Sequence, residues 1–402
     1  MALRALDSLA LVKEMNRFRS AFLLPLLAVT VSTLAVELHP GHRLTDRSQL
    51  WEHSSNILSG FCNMYQMEVV RDDRDWRFPY HGWFFGWAAK DCNPGFGGCD
   101  AIFALRSARL ESGWQVYMGN DRWDDGTHPA SWVPIITARN EFYDGWHNGD
   151  PSVVLVGGRF YMAYSSVGRN KDGKLWGEAG DKDGSLLCVM GAISDDGLHW
   201  RRTPAPIAMN LLDVGAPPVP EGEAHLYGSY HRPSLLYEAG KFRLWFDYWA
   251  GATDGVSVGY AENAGDFMDP KAWRIVQAGA TPVLRQFPNP DVVKIREVYF
   301  MYGDPATDSP HQWISRRITE AVSTNGRDWV VLGYVKADRD TPATHVPQAY
   351  VQRDGAATWI YVFYACQIGG EPQYNYRYDR IRFMRRKVTD ADLAEYRVLC
   401  RP

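Results

Sequence analysis

Gly149–Ser166 reads GDPSVVLVGGRFYMAYSS, and further on Gly191–Trp200 reads GAISDDGLHW. The first stretch is an apolar strand, a Gly-Gly turn and an aromatic strand. The second is a strand that ends in an Asp-Gly turn before a tryptophan. Such glycine pairs supply the positive φ values that tight hairpin turns demand. The same order recurs in HRPSLLYEAGKFRLWFDYW from His231, in PNPDVVKIREVYFMYGD from Pro288 and in HVPQAYVQRDGAATWIYVFYA from His345. EAVSTNGRDW at Glu320–Trp329 repeats the turn before tryptophan, while Ala104–Tyr117 and Val258–Trp273 are looser copies. Asn63–Asp91 supplies the first two strands of a degenerate first unit.

Pro233, Pro290 and Pro347 lie 57 residues apart, a period in the range of propeller blades. Five such units predict an all-β chain, a five-bladed β-propeller over residues 61–390 closed around a central channel. Residues 37–60 read as a lead-in and 391–402 as a C-terminal tail. A β-sandwich has the composition but not the fixed strand order.

Composition agrees. The 402 residues are 46% hydrophobic and 22% charged, enough for a large core, and the 16 Trp, 21 Tyr, 17 Phe, 36 Gly and 23 Pro favour strands and turns. A net charge of -4 without a basic block lacks the electrostatic footprint of a nucleic-acid partner. From Met15, MNRFRSAFLLPLLAVTVSTLAVE has two arginines, an apolar run and small residues suited to cleavage. Residues 1–36 are therefore expected to be an export signal, with translation starting at Met1 or Met15. The protein is expected in the periplasm or outside the cell, with no stable membrane span once mature, and an uncleaved anchor is the alternative.

Of six cysteines, Cys92 and Cys99 are spaced to close a glycine-rich loop, whereas Cys188 and Cys366 sit in apolar strands and read as buried hydrophobes. Cys62 and Cys400 complete the set. No zinc spacing occurs.

Tight turns (VGGR, EAGK, SDDG, STNG) gather on one predicted face, and long polar and aromatic loops on the other. Binding and catalysis concentrate on long loops carried by a rigid scaffold. The working face is thus where each first strand begins, and the leading residues Asn63, Asp150, His231, Arg232, Asn289, Asp291, His345 and Gln348 converge there on the channel. A charged ring of this kind must be paired, hydrated or in use.

The DPSVV, GGRFYMAYSS and ISDDGLHW elements resemble the blades of the five-bladed glycoside hydrolases, family 43 and its relatives, over most of residues 60–390. The resemblance implies hydrolysis of a plant or algal polysaccharide or oligosaccharide, inverting and exo-acting, in the manner of arabinofuranosidases and xylosidases. It also implies an aspartate base starting the first blade, an orienting aspartate starting the second and a glutamate acid starting the third. Asp150 matches the second. The first blade opens near CNMYQ without Asp-Pro, and the third opens YHRP where the family shows Glu-Gly-Pro.

Inverting hydrolysis needs two carboxyl groups in different protonation states across the glycosidic bond. Asp150 is the first candidate, with Glu223, Asp291, Asp304 and Asp91 competing for the second role. Sugar rings stack on aromatic faces while their hydroxyls seek polar groups. Trp146, Trp249, Trp313, Tyr230, His231, Arg232, His345 and Gln348 are the candidates for binding. No cofactor is required, although a structural calcium ion in the channel is compatible with these residues. NKDG and DKDG at Asn170–Gly173 and Asp181–Gly184 read as solvated turns, since they lack the calcium-loop spacing. The alternatives are a non-catalytic glycan-binding propeller and a metal-dependent, lactonase-like hydrolase, for which Asn63, Asp150, Asn289 and Asp291 would be ligands.

Overall fold

The computed structural model describes residues 45–60, 64–87, 100–139, 141, 143–145, 148–167, 187–209, 230–250, 255–305, 317–335, 344–367 and 378–401. All belong to the second of two compact units, 1–37 and 38–402. Strands with apolar residues on both faces need cover on both sides, and five antiparallel sheets provide it for one another as the blades of a five-bladed propeller.

Two N-terminal strands, β1 (Thr45–Asp46) and β2 (Glu52–Ser59), precede the first blade. That blade contains β3 (Met64–Arg71), β4 (Tyr80–Trp87), β5 (Asp100–Ser107) and the short β6 (Gln115–Tyr117), β7 (Trp123–Asp124) and β8 (Ile136–Thr137). The second has β9 (Asn148–Val156), β10 (Arg159–Val167), β11 (Leu187–Ser194) and β12 (Arg201–Arg202). The third has β13 (His231–Glu238), β14 (Lys241–Trp249), β15 (Val256–Asn263) and β16 (Arg274–Gln277). The fourth has β17 (Asp291–Ile295), β18 (Val298–Gly303), β19 (Ile318–Ser323) and β20 (Val330–Val335), with β1 added in parallel at its edge. The fifth has β21 (Thr344–Asp354), β22 (Ala357–Gln367) and β23 (Tyr378–Val388). Its outermost strand is β2, paired antiparallel with β23. Residues 52–59, expected only as a lead-in, thus contribute a strand that closes the ring. The end of the chain forms a helix, α1 (Asp390–Leu399), started by a capping box between Thr389 and Asp392.

The apolar core lies between blades. Trp83 and Ile102 of the first blade pack with Val153 and Met190 of the second, and equivalent layers join each later pair. The last layer brings Phe84 and Phe103 against Phe363 and Phe383 of the fifth blade. The Asp-Gly and Asn-Gly turns act as clips between blades. Trp83 Nε1 donates to the Gly197 carbonyl at 2.9 Å, and Trp245 Nε1 donates to the Gly326 carbonyl at 2.8 Å. The tryptophan closing each turn, Trp200 or Trp329, meets the same donor edge to face. Gly333 is required where β1 joins β20: its φ is +147°, and a Cβ there would stand 2.1 Å from the Thr45 carbonyl oxygen.

A buried ionic cluster joins the fourth and fifth blades, β1's flank and α1. Glu320 accepts from Arg386 Nη2 at 2.8 Å and from the Tyr302 hydroxyl at 2.7 Å, while Arg47 Nε lies 3.3 Å from its other oxygen. Arg47 also donates to the Tyr396 hydroxyl of α1 at 2.8 Å. Cys188 and Cys366 are fully buried, in agreement with the apolar strands that carry them. Cys62, Cys92 and Cys99 lie outside the described residues.

Candidate functional site

Each inner strand opens on a non-glycine residue with positive φ: Gln66 (53°), Asp150 (52°), Arg232 (44°), Asn289 (55°) and Val346 (47°). In four blades proline follows, and in the first Met67 does. Register shifts mark bulges at these points in the first, second, third and fifth blades. Such backbone persists only where its surroundings over-determine it, and here the neighbouring blade does so. The Arg232 N–H donates to Ser165 Oγ (2.8 Å), the Asn289 N–H to Asp247 Oδ2 (3.0 Å) and the Val346 N–H to Asp304 Oδ2 (3.0 Å). Ser165, Asp247 and Asp304 hold matching places on or just after the second strand of successive blades. Asp304, a candidate acid from sequence, is therefore fully buried as a tie between blades. It also accepts from the Asn289 amide.

Two residues further along each inner strand stands a second layer: Glu68, Ser152, Ser234, Asp291 and Gln348, all nearly inaccessible. Ser152 donates to Glu68 at 3.0 Å and Ser234 to Asp291 at 2.9 Å. The next blade's backbone reinforces each link, through Leu235 N–H to Ser152 (2.9 Å), Val292 N–H to Ser234 (2.8 Å) and Ala349 N–H to Asp291 (2.5 Å). With its NH2 turned inward, the Gln348 amide donates to Asp291 (3.0 Å) and Glu68 (3.1 Å) and accepts from Gln66 (3.0 Å). A polar girdle thus runs across the channel beneath the mouth. Asp291 and Gln348, expected at the mouth, belong to this girdle.

Burial, and then the negative charge of Asp291, push the Glu68 carboxyl well above its usual range. Burial raises Asp291 to about 6 against the hydrogen bonds it accepts. Carboxyls with folded pKa above the unfolded value hold protons preferentially in the native state, so their contribution to stability is present at low pH and lost as pH rises through the folded value. The midpoint of urea unfolding is expected to fall between pH 5 and pH 7, and Glu68→Gln is expected to flatten that change. A slope unchanged in the variant would remove the girdle as its source.

At the mouth itself, His231 and Arg232 keep 13% and 16% of their side chains accessible, whereas Asp150 and Asp247 behind them keep 0% and 3%. His231 Nε2 lies 3.0 Å from Asp150 Oδ2, and its Nδ1 lies 3.9 Å from Asp247 Oδ1. One edge of the imidazole thus meets Asp150 at hydrogen-bond distance, while the Asp247 carboxylate stands beyond that distance on the other. Burial lowers its pKa below that of an ordinary histidine, and Asp150 opposes the shift. Burial also raises Asp247, against the opposing charges of Arg232 and His231. For Arg232, burial disfavours the cation, but the carboxylates of Asp247 and Asp150 outweigh it and hold the pKa above the ordinary value. Its Nη1 reaches Asp247 Oδ2 at 3.5 Å.

The structure therefore brings together Asp150, His231 and Arg232, and sets Asp291, Asp304 and Gln348 to bracing the channel. Tyr230, expected against sugar, is a core residue packed on Phe246 and Tyr248. Asp91, Trp146, Glu223 and Trp313, with the side chains of Trp249 and His345, lie outside the described residues. The Asn170–Gly173 and Asp181–Gly184 turns do as well. Sequence reading missed Glu68 and Asp247. Aligning the blades on their second strands would have matched Asp247 of FDYW with Ser165 of YSS and Asp304 of GDP. Among the described residues, the group of three His, Cys, Asp or Glu side chains close enough to share an ion is Asp124, Asp125 and His128. It belongs to the first blade's outer strand and the turn after it, away from the mouth residues.

No protein-family model matches the sequence, and no curated protein matches it either. Solved structures match the fold. A family 117 glycoside hydrolase from the marine bacterium Zobellia galactanivorans superposes with a TM-score of 0.55 at 12% identity, over 86% of this chain and 94% of that one. An N-acetylgalactosamine deacetylase from F. plautii, solved with blood group B trisaccharide, gives 0.51 at 13% identity, over 84% and 96%. At these identities the likeness is one of fold: the chain shares its propeller with glycan-active enzymes, glycoside hydrolases among them.

Proposed function

We propose that the protein is a glycoside hydrolase acting on a plant or algal glycan at the channel mouth, with His231 as general acid and Asp150 as the carboxylate that orients it. The observation that carries the reading is the accessible His231 imidazole, 3.0 Å from the buried Asp150 and flanked by Asp247. His231 precedes Pro233 by two residues, as the glutamate does in the Glu-Gly-Pro of the family that the sequence resembles. Asp150 stabilises the imidazolium that donates to the leaving oxygen. Arg232 presents a guanidinium to sugar hydroxyls beside it. The polar girdle closes the channel below, which favours a pocket and exo action. Gln66 fills the first blade's opening position and cannot act as a base. The water-activating carboxylate is therefore sought at Asp91 and Glu223, on the long loops.

The test is hydrolysis of a panel of plant and algal polysaccharides and aryl glycosides by the protein and by Asp150→Asn, with and without chelator. Sugar release that chelator spares and the variant abolishes supports the reading. No release from any member, with glycan binding retained, would favour a binding propeller, to which Gln66 in place of a base also points. Loss with chelator alone would favour a metal-dependent hydrolase.

A further inference from the structure

On the opposite face, where the tight turns lie, a cavity of about 220 Å³ opens between the first and second blades beside the Trp83–Gly197 clip. It is smaller than the roughly 300–1,000 Å³ of sites for drug-sized ligands, so it holds one ring-sized unit. Turn hydrogen bonds fix two of its carboxylates: Asp75 Oδ1 accepts from the Arg77 and Phe78 N–H groups, and Asp196 Oδ1 from those of Leu198 and His199. The Arg106 guanidinium is sandwiched between Phe78 (4.1 Å) and Trp123 (4.2 Å), and Nε donates to Gln115 at 2.9 Å. Its two terminal nitrogens have no acceptor among the described residues. Burial keeps the His81 imidazole biased toward its neutral form, and its Nε2 has no hydrogen-bond partner among the described residues. That nitrogen lies 3.9 Å from Asp75 Oδ2, too far for a direct bond. One hydroxyl can span this gap at about 2.8 Å from each atom. The Asp121 carboxylate lines the same cavity, free of hydrogen bonds from described residues.

We propose that this cavity is a second glycan-binding site, taking a single neutral sugar ring. Donors on Arg106 and His81 facing acceptors on Asp75 and Asp121 match a ring of hydroxyls, each of which donates and accepts. Asp75, Asp121 and Asp196 repel an anion, and Arg106 repels a cation. Trp83 and Trp123 line the cavity as well, the latter with Arg106 against its ring. The site is independent of catalysis at the mouth.

Saturation-transfer NMR and titration with methyl hexosides and methyl pentosides test it on the whole protein. Binding by at least one of them is expected to weaken tenfold or more in Arg106→Ala and in Asp121→Gly, the latter an exposed turn position that glycine fits. His231→Ala is expected to leave that binding in place. Hydrolysis of small aryl glycosides is expected to be unchanged in Arg106→Ala. Absence of binding by every glycoside, or binding lost with His231→Ala and untouched by both cavity variants, would overturn the proposal. Unchanged melting of Asp121→Gly separates lost binding from lost fold.

Discussion

His231→Gln is expected to lower kcat/KM on an aryl glycoside with a poor leaving group by roughly 10²–10⁴-fold, the range that a positioned general acid supplies. The loss should shrink sharply on a dinitrophenyl glycoside, whose leaving group departs without a proton. That contrast separates proton donation from substrate binding, since a binding residue would cost both substrates alike. The pH profile supplies a second reading. Burial sets the His231 pKa below 6.5, and the acid works only while protonated. Activity should therefore be present on the acidic side and fall as pH rises through a value under that of a free imidazole. Removing the Asp150 carboxylate, which raises the His231 pKa, should move that limb to lower pH in whatever activity Asp150→Asn retains. Equal losses on both leaving groups would sink the assignment of His231 as acid.

Arg386→Met is expected to destabilise the fold by about 3–5 kcal/mol, the cost of stranding one half of a buried ion pair. Arg386 and Glu320 are 2% and 0% accessible, and the Arg386 guanidinium also lies over the rings of Trp51, Phe300 and Tyr396. Removing it leaves Glu320 charged, with Arg47 Nε 3.3 Å away as the cation still facing it. Urea denaturation followed by tryptophan fluorescence gives the number directly. Glu320→Gln should cost a similar amount, because it strands the Arg386 guanidinium, itself 2% accessible, without its counter-charge. Combining it with Arg386→Met should cost less than the sum of the two. A shift under 1 kcal/mol for Arg386→Met would mean that water or Arg47 compensates, and that the cluster is not what ties the last two blades.

The repeat was legible because each blade carries its strand order and turn chemistry locally. Asp150, His231 and Arg232 were legible for the same reason, since they open first strands ahead of proline. The girdle was not, although its pattern is visible afterwards: DPS, RPS, NPD and VPQ place a polar residue just past each proline, and QME does so in the first blade. One position along a bulged strand decides whether a carboxyl faces substrate or braces its neighbour, and the bulge is a property of paired strands. Asp247 was hidden among the aromatic residues of a second strand, where its roles come from partners distant in sequence, the facing His231 of β13 and the Asn289 N–H of the next blade. Closure by β2 could not be read at all, because EHSSNILS pairs with a strand from the far end of the chain and non-local pairing leaves no local mark.

That closure carries a consequence for how the molecule comes into being. The last blade takes its outer strand from residues 52–59 and its inner three from residues 344–388, so a chain emerging from the ribosome holds its closing piece long before there is anything to close upon. Until β23 arrives, β2 has no mate and the face of the first blade that packs on Phe363 and Phe383 stays uncovered. Closure of the ring is therefore deferred to the end of synthesis. A version rearranged so that residues 45–59 follow β23 would remove the wait, and should reach its final form sooner after release.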